Sequence, residues 1–354
     1  MIERVRVLVV DDSAFNRRTI IKILEAVPGV EVVGYAGNGE EGLRKVFDLQ
    51  PDLITLDLEM PRMDGFSFLR IVMQNRPTPV IVVSARSEDE NVFRALDFGA
   101  VEFIAKPSAR VSPELFNIRQ DLVTKVREIA RTDMKKVLVR PSAEPCVTGA
   151  ETKTSKFRSA AREEGLRQVV IGASTGGPPA LQTILAAIRP PVPVGFAIAQ
   201  HMPPGFTRAF ADRLNKFCAL EVCEASSGDV MRPGRVLVAP GGKNLVFRRR
   251  GGEVLARVVD PAEDQRYVPS VDDLFASASD VFGPDLLGVV LTGMGNDGAR
   301  GVACVKKAGG QVLAEAEETS VVFGMPKEAI ATGSVDKIVA LPEMGRAILR
   351  RCGF

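Results

Sequence analysis

With 354 residues, 45% of them apolar, the chain is longer than one core ordinarily serves and can bury two. Lys+Arg (46) nearly cancel Asp+Glu (44), so no charge excess argues for nucleic acid, an acidic membrane face or a polyanionic substrate. Five scattered cysteines (Cys146, Cys218, Cys223, Cys304, Cys352) include no Cys-x-x-Cys pair and read as reduced packing residues; no apolar run reaches the roughly 18 residues that span a bilayer, and a cytoplasmic location is expected.

The N-terminal MIERVRVLVVDD reads as a buried strand ending in two aspartates, not as a leader. Short apolar runs at 5–10, 30–35, 53–58, 80–83 and 101–105 alternate with amphipathic stretches of helical length, the pattern of a parallel sheet covered on both faces. Ser112-Pro113-Glu114 starts a fifth helix, with Leu115, Ile118, Leu122, Val126 and Ile129 on one side. From about 131 to 167 the chain turns polar, with Pro141 and Pro145 and no sustained period, as in a linker. A second strand and helix alternation follows, with strands expected at 168–173, 194–199, 236–239, 286–291 and 311–314.

Ligands of open α/β sheets bind beyond the carboxyl ends of the strands. In the first half those ends carry Asp11 and Asp12, then Asp57, then Ser84, then Lys106 before Pro107. Three carboxylates in one crevice repel one another unless a cation neutralises them, and hard oxygen ligands suit Mg²⁺. With charge offset in that way, Asp57 can attack phosphorus while Lys106 and Ser84 contact the phosphoryl oxygens.

Through VVDDS, LDLEMPRMDG, VVSA and IAKP this region resembles the receiver domain of two-component response regulators, a flavodoxin-like (βα)5 fold. The resemblance implies phosphorylation of Asp57 by a histidine kinase and an aromatic switch at Phe103, where tyrosine is more frequent in the family.

In the second half, RQVVIGASTGGPPALQTIL reads as strand, glycine-rich turn and helix, with Ser174 at a turn where helix N–H groups favour negative charge. GASTG satisfies G-x-S-x-G, in which a sharp bend exposes a serine oxygen, although such a turn equally suits a phosphate. A serine nucleophile needs a base, and the one histidine, His201, also ends an apolar run. Asp297 in LTGMGNDG is the strongest candidate to orient the imidazole; as a plain alternative it caps the helix beginning near Gly298, and spacing alone does not separate it from Asp272 or Glu315.

GASTGGP, AQHMP, VAPGG, PSVDDLF, LTGMGNDG and EETSVVFGMP together resemble the catalytic domain of the chemotaxis protein-glutamate methylesterases, the CheB family. The resemblance implies a doubly wound α/β serine hydrolase, a Ser174, His201, Asp297 triad and an oxyanion contact from the Met294 backbone. It implies a receiver at 1–125, a linker at 126–164 and a catalytic domain at 165–354. The expected substrates are glutamate methyl esters of methyl-accepting chemotaxis receptors, with deamidation of receptor glutamines, under phosphorylation control and without a cofactor for the ester chemistry. Ala-Glu-Ala-Glu-Glu at 314–318 departs from the family's glutamine-aspartate-glutamate run and is expected to alter surface contacts and leave the triad intact, since none of the three triad residues lies there. A DNA-binding output would predict a small basic helical domain, and a nucleotide-binding output would want an acidic residue where Gln200 and His201 stand.

Overall fold

A computed structural model describes residues 4–84, 89–106, 122–138 and 167–353, which fall into two compact units dividing near residue 140. The expected helix start at Ser112 and most of the expected linker lie outside the described residues.

The first unit runs β1 (Val5–Val10), α1 (Ala14–Glu25), β2 (Val30–Ala36), α2 (Gly39–Leu49), β3 (Leu53–Asp57), α3 (Gly65–Asn75), β4 (Val80–Ser84), α4 (Asp89–Asp97) and β5 (Glu102–Ala105). The strands pair in parallel in the order β2-β1-β3-β4-β5. β3 and β4 are buried at every position, which is why they read as unbroken apolar runs and not as alternations. Three helix starts are capped by side chains of the chain's own turns: Ser13, Asn38 and Asp64 accept from the N–H groups of Asn16, Glu41 and Ser67. A helix over 122–129 (α5) buries Leu122, Val126 and Ile129. A short α6 (Met134–Leu138) buries Met134 and Val137, so the stretch expected to be linker from 126 is helical over 126–129 and 134–138.

The second unit runs β6 (Arg167–Ala173), α7 (Gly177–Ala187), β7 (Val194–Gln200), α8 (Phe206–Phe217), β8 (Glu221–Glu224), β9 (Arg235–Val238), β10 (Asn244–Arg250), β11 (Glu253–Val259), α9 (Val271–Phe282), β12 (Leu286–Val290), α10 (Ala299–Lys307), β13 (Gln311–Glu315), α11 (Met325–Ala331), β14 (Lys337–Val339) and α12 (Leu341–Arg351). Seven strands form one parallel sheet in the order β14-β13-β12-β6-β7-β9-β8, and β10 and β11 make a separate antiparallel hairpin. α9 lies between the sheet and that hairpin, burying Val271, Leu274, Phe275, Ala278 and Phe282 with Leu245, Phe247 and Ala256. The hairpin, β8 and β14 were not among the expected strands.

Each sheet has a point where successive connections leave in opposite directions, and a crevice opens beyond the strand ends there. In the first unit it falls between β1 and β3, at Asp11, Asp12 and Asp57. In the second it falls between β6 and β12, with β7 next to β6, so Ser174, Thr292 and His201 follow three adjacent strands. Among the described residues no helix is long and apolar enough to cross a membrane.

Candidate functional site

Ser174 follows β6 directly and His201 follows β7, and the last residues of these strands, Ala173 and Gln200, are register partners. The His201 N–H donates to the Ala173 carbonyl at 3.0 Å, and the Gln200 amide nitrogen donates to the carbonyls of both Ser174 (2.9 Å) and His201 (3.1 Å). Nucleophile candidate and base candidate therefore stand side by side on neighbouring strands. Their side chains form no hydrogen bond to each other in this arrangement. Gly176 has φ 78 and is the N-cap of α7, so the bend after the serine uses a left-handed conformation that side chains resist, and Pro178 and Pro179 follow within the first turn.

Asp297 is 3% exposed, and its Oδ2 lies 2.8 Å from His201 Nε2. It does not cap its own helix: Gly298 is the N-cap of α10, with no side-chain cap bond. Instead it caps the neighbouring helix α9, accepting from the N–H groups of Val271 (2.7 Å) and Asp272 (2.9 Å). Burial pulls this carboxyl upward, but the bonds from His201, Val271 and Asp272 outweigh it and leave the pKa below its ordinary value. An ionised Asp297 accepts a proton bond at Nε2, which leaves Nδ1 as the basic nitrogen of a neutral ring.

The rival carboxylates have other tasks. Asp272 returns the favour to α10, its Oδ1 accepting from Gly298 (2.9 Å) and Gly301 (2.7 Å) while Oδ2 meets Arg300 Nε at 2.9 Å. Glu315, fully buried at the end of β13, accepts from the Thr292 N–H at 2.8 Å and from the Thr319 hydroxyl at 3.1 Å. The expectation that the 314–318 departure falls on surface contacts is corrected at Glu315: β13 carries it inward to Thr292, the residue whose carbonyl accepts from the Ser174 N–H (3.0 Å) and whose hydroxyl donates to the Thr175 carbonyl (2.9 Å).

Gly293 packs directly on Ser174: a Cβ there would come within 2.7 Å of the serine Cβ and would also strike the Met325 sulfur. The Gly293 carbonyl is held by the N–H groups of Gly324 and Met325. No hydrogen bond is made by the next N–H, that of Met294, within the described residues. A loop pressed against the nucleophile with an uncommitted backbone donor has the makings of an oxyanion hole. Tyr267, to which sequence reasoning gave no part, stacks on His201 with ring centroids 5.2 Å apart and planes 6° apart.

At the first unit's crevice, Asp11 and Asp57 are buried while Asp12 is exposed, and carboxylate oxygens of all three lie within 4.8 Å of one another. Lys106 Nζ is 2.8 Å from Asp57 Oδ1. Burial first, then the Asp57 charge, push the Asp11 carboxyl up to about 7, and burial also raises Asp57 despite the Lys106 bond. Oδ2 of each of these buried aspartates has no hydrogen-bond partner, so the donor set fits a hard divalent cation that would replace the missing positive charge. Ser84 is fully buried at the end of β4, and its carbonyl accepts from the Lys106 N–H at 2.7 Å. Phe103 is 2% exposed and packs edge-on against Phe93 at 6.3 Å, with Lys125 Nζ bonded to its carbonyl at 3.0 Å.

Comparison with known proteins bears on both units. The family model for the response regulator receiver domain matches residues 7–114, and that for CheB methylesterase matches residues 169–348. A Geobacter sulfurreducens protein named protein-glutamate methylesterase/protein-glutamine glutaminase 3 is 58% identical over 99% of this chain and 98% of its own length. A Myxococcus xanthus protein named protein-glutamate methylesterase/protein-glutamine glutaminase 1 is 47% identical over 97% of this chain and 96% of its own. The crystal structure of the Thermotoga maritima CheB methylesterase catalytic domain superposes with a TM-score of 0.52 at 37% identity, covering 53% of this chain and 99% of that one.

Proposed function

Because the chain belongs to the CheB family of receiver-linked protein-glutamate methylesterases/protein-glutamine glutaminases, we propose that Ser174, His201 and Asp297 are its catalytic triad and Asp57 its phospho-acceptor. The hydrolase is of the serine type. The observation that carries this reading is the 2.8 Å contact of His201 Nε2 with Asp297, formed beside Ser174 across paired strands.

The substrate is a γ-methyl ester of a glutamate side chain on a methyl-accepting chemotaxis receptor, or the γ-amide of a receptor glutamine. Ser174 Oγ attacks the γ-carbonyl carbon as Nδ1 of His201 takes its proton; the carbonyl oxygen becomes an oxyanion facing the Met294 N–H. The tetrahedral adduct collapses, the imidazolium returns the proton to the departing methanol or ammonia, and Ser174 keeps the glutamyl group as an ester. Water, deprotonated by the same imidazole, releases glutamate and the serine. Asp297 keeps its charge throughout and offsets the imidazolium.

In the receiver, Asp11, Asp12 and Asp57 would hold Mg²⁺, which when bound supplies the charge neutralisation that lets Asp57 approach a phosphohistidine of a kinase. Lys106 pairs with the phosphoryl group on Asp57, Ser84 donates its hydroxyl to it, and Phe103 repacks in response. Phosphorylation thereby controls the esterase and serves adaptation in chemotaxis-type signalling. Methanol release from methylated receptor membranes tests the reading: wild type releases it, faster with a small phosphodonor; S174A releases none; D57N releases it at a rate the phosphodonor does not change. A fully active S174A would remove the triad, and a phosphodonor response in D57N would remove Asp57 as the acceptor.

A further inference from the structure

Tyr267 lies in the segment between β11 and α9, three residues before Ser270, whose side chain caps α9 at the Asp273 N–H. Its ring is nearly parallel to the imidazole of His201, with centroids 5.2 Å apart. The phenol end rests against the loop that carries the Met294 N–H: a Cβ on Gly295 would come within 2.8 Å of the tyrosine Cζ and closer still to its oxygen, and Gly295 has φ 82. The guanidinium of Arg266 is 5.0 Å from the same ring. One aromatic side chain thus touches the base with its face and the oxyanion loop with its tip.

A histidine held by one hydrogen bond at Nε2 can still turn about its Cβ–Cγ bond, an axis on which Nε2 does not lie. That rotation carries Nε2 off Asp297, frees the tautomer and swings Nδ1 away from the serine. A flat ring lying on the imidazole face stops it. We propose that Tyr267 is a positioning residue that fixes the plane of His201, so that Nδ1 stays aimed at Ser174, and that its bracing on Gly295 sets the spacing between the base and the oxyanion donor. This rests on the triad reading and deepens it; Tyr267 itself exchanges no proton with substrate. The stacking face, not the hydroxyl, carries the effect, so phenylalanine preserves it and alanine or leucine does not.

His201 is the one histidine of the chain, so selective ¹⁵N-histidine labelling of the full, tag-free protein gives one set of ring signals. With the ring neutral, wild type and Y267F show a single Nε2–H tautomer, whereas Y267A and Y267L show signals displaced toward the average of exchanging tautomers. In methanol release, Y267A loses about tenfold to a hundredfold in kcat with KM changed by less than about threefold, and Y267F stays within about threefold of wild type. A raised KM with unchanged kcat would overturn the proposal by making Tyr267 a substrate contact, and so would lost kcat with His201 signals unmoved. Y267L replaces Y267A if the smaller side chain does not fold, as judged by circular dichroism. The ring signals require no turnover, so the proposal fails separately from the triad reading, whose failure would show in S174A.

Discussion

Asp297 gathers three close donors, His201 Nε2 and the first two N–H groups of α9, on one carboxylate that is almost out of water. A buried acid normally holds its proton more tightly; here directed bonds and the positive end of α9 reverse the direction. Its folded-state pKa lies below the ordinary 3.8, so the folded form gives up the proton first. The resulting stabilisation is complete above the unfolded value and is lost as pH falls through the folded one. D297N lacks that ionisation, and urea unfolding of wild type and variant across pH should show the stability gap narrowing below about pH 4; a gap that stays constant would mean Asp297 is not held ionised. At neutral pH D297N keeps the geometry but favours the wrong tautomer, and methanol release should fall about 10³ to 10⁴-fold. Sequence reasoning put Asp297 first, but spacing alone did not separate it from Asp272 and Glu315, because which helix a strand-end aspartate caps is decided by tertiary placement. Only the fold reveals that Asp297 caps α9 and not the helix it precedes.

Among elements, the pairing of α9 and α10 is what turns that aspartate into a fixed part. Each helix start is capped by an aspartate from the start of the other: Asp297, in the turn before α10, for α9, and Asp272, in the first turn of α9, for α10. Removing Asp272 strands the buried N–H groups of Gly298 and Gly301, whereas its ion pair to Arg300 is to a side chain that is 86% exposed and contributes little. D272A should therefore destabilise the protein by about 2 to 4 kcal/mol and R300A by less than about 0.5 kcal/mol, measured by urea unfolding. Equal losses would place the stabilisation in the ion pair. Capping signals that stay within one turn of the chain, such as Ser13, Asn38 and Asp64, are legible from sequence; reciprocal caps 25 residues apart, such as Asp272 N–H to Asp297, are not. The β10 and β11 hairpin left its signal only in the Gly251-Gly252 turn, both residues at positive φ, because its strands NLVFRRR and EVLARVV carry no regular apolar-polar alternation. β14 has three residues, two of them exposed, and carries no pattern.

At the scale of the whole molecule, two parallel sheets each place their chemistry where the strand order reverses. That rule made both crevices visible in the sequence, since the residues ending each apolar run were the ones to inspect. It reached Asp11, Asp12, Asp57, Ser84, Lys106, Ser174 and His201 because those residues end strands or lie within two positions of their ends. It passed over Tyr267 and Thr292, which meet His201 and Ser174 through a stacked face and a backbone carbonyl that no residue spacing announces. It offered Glu315 as a rival of Asp297, whereas the fold bonds that carboxylate to the Thr292 N–H beside the site. The central claim is that Ser174 is made nucleophilic by an imidazole that Asp297 holds. Treating the full chain with a fluorophosphonate, which phosphonylates activated serines, and mapping the adduct by peptide mass spectrometry tests it most directly. The account predicts one adduct, on Ser174, forming at least about a hundredfold more slowly in H201A; an adduct on another serine, or undiminished labelling in H201A, would contradict it.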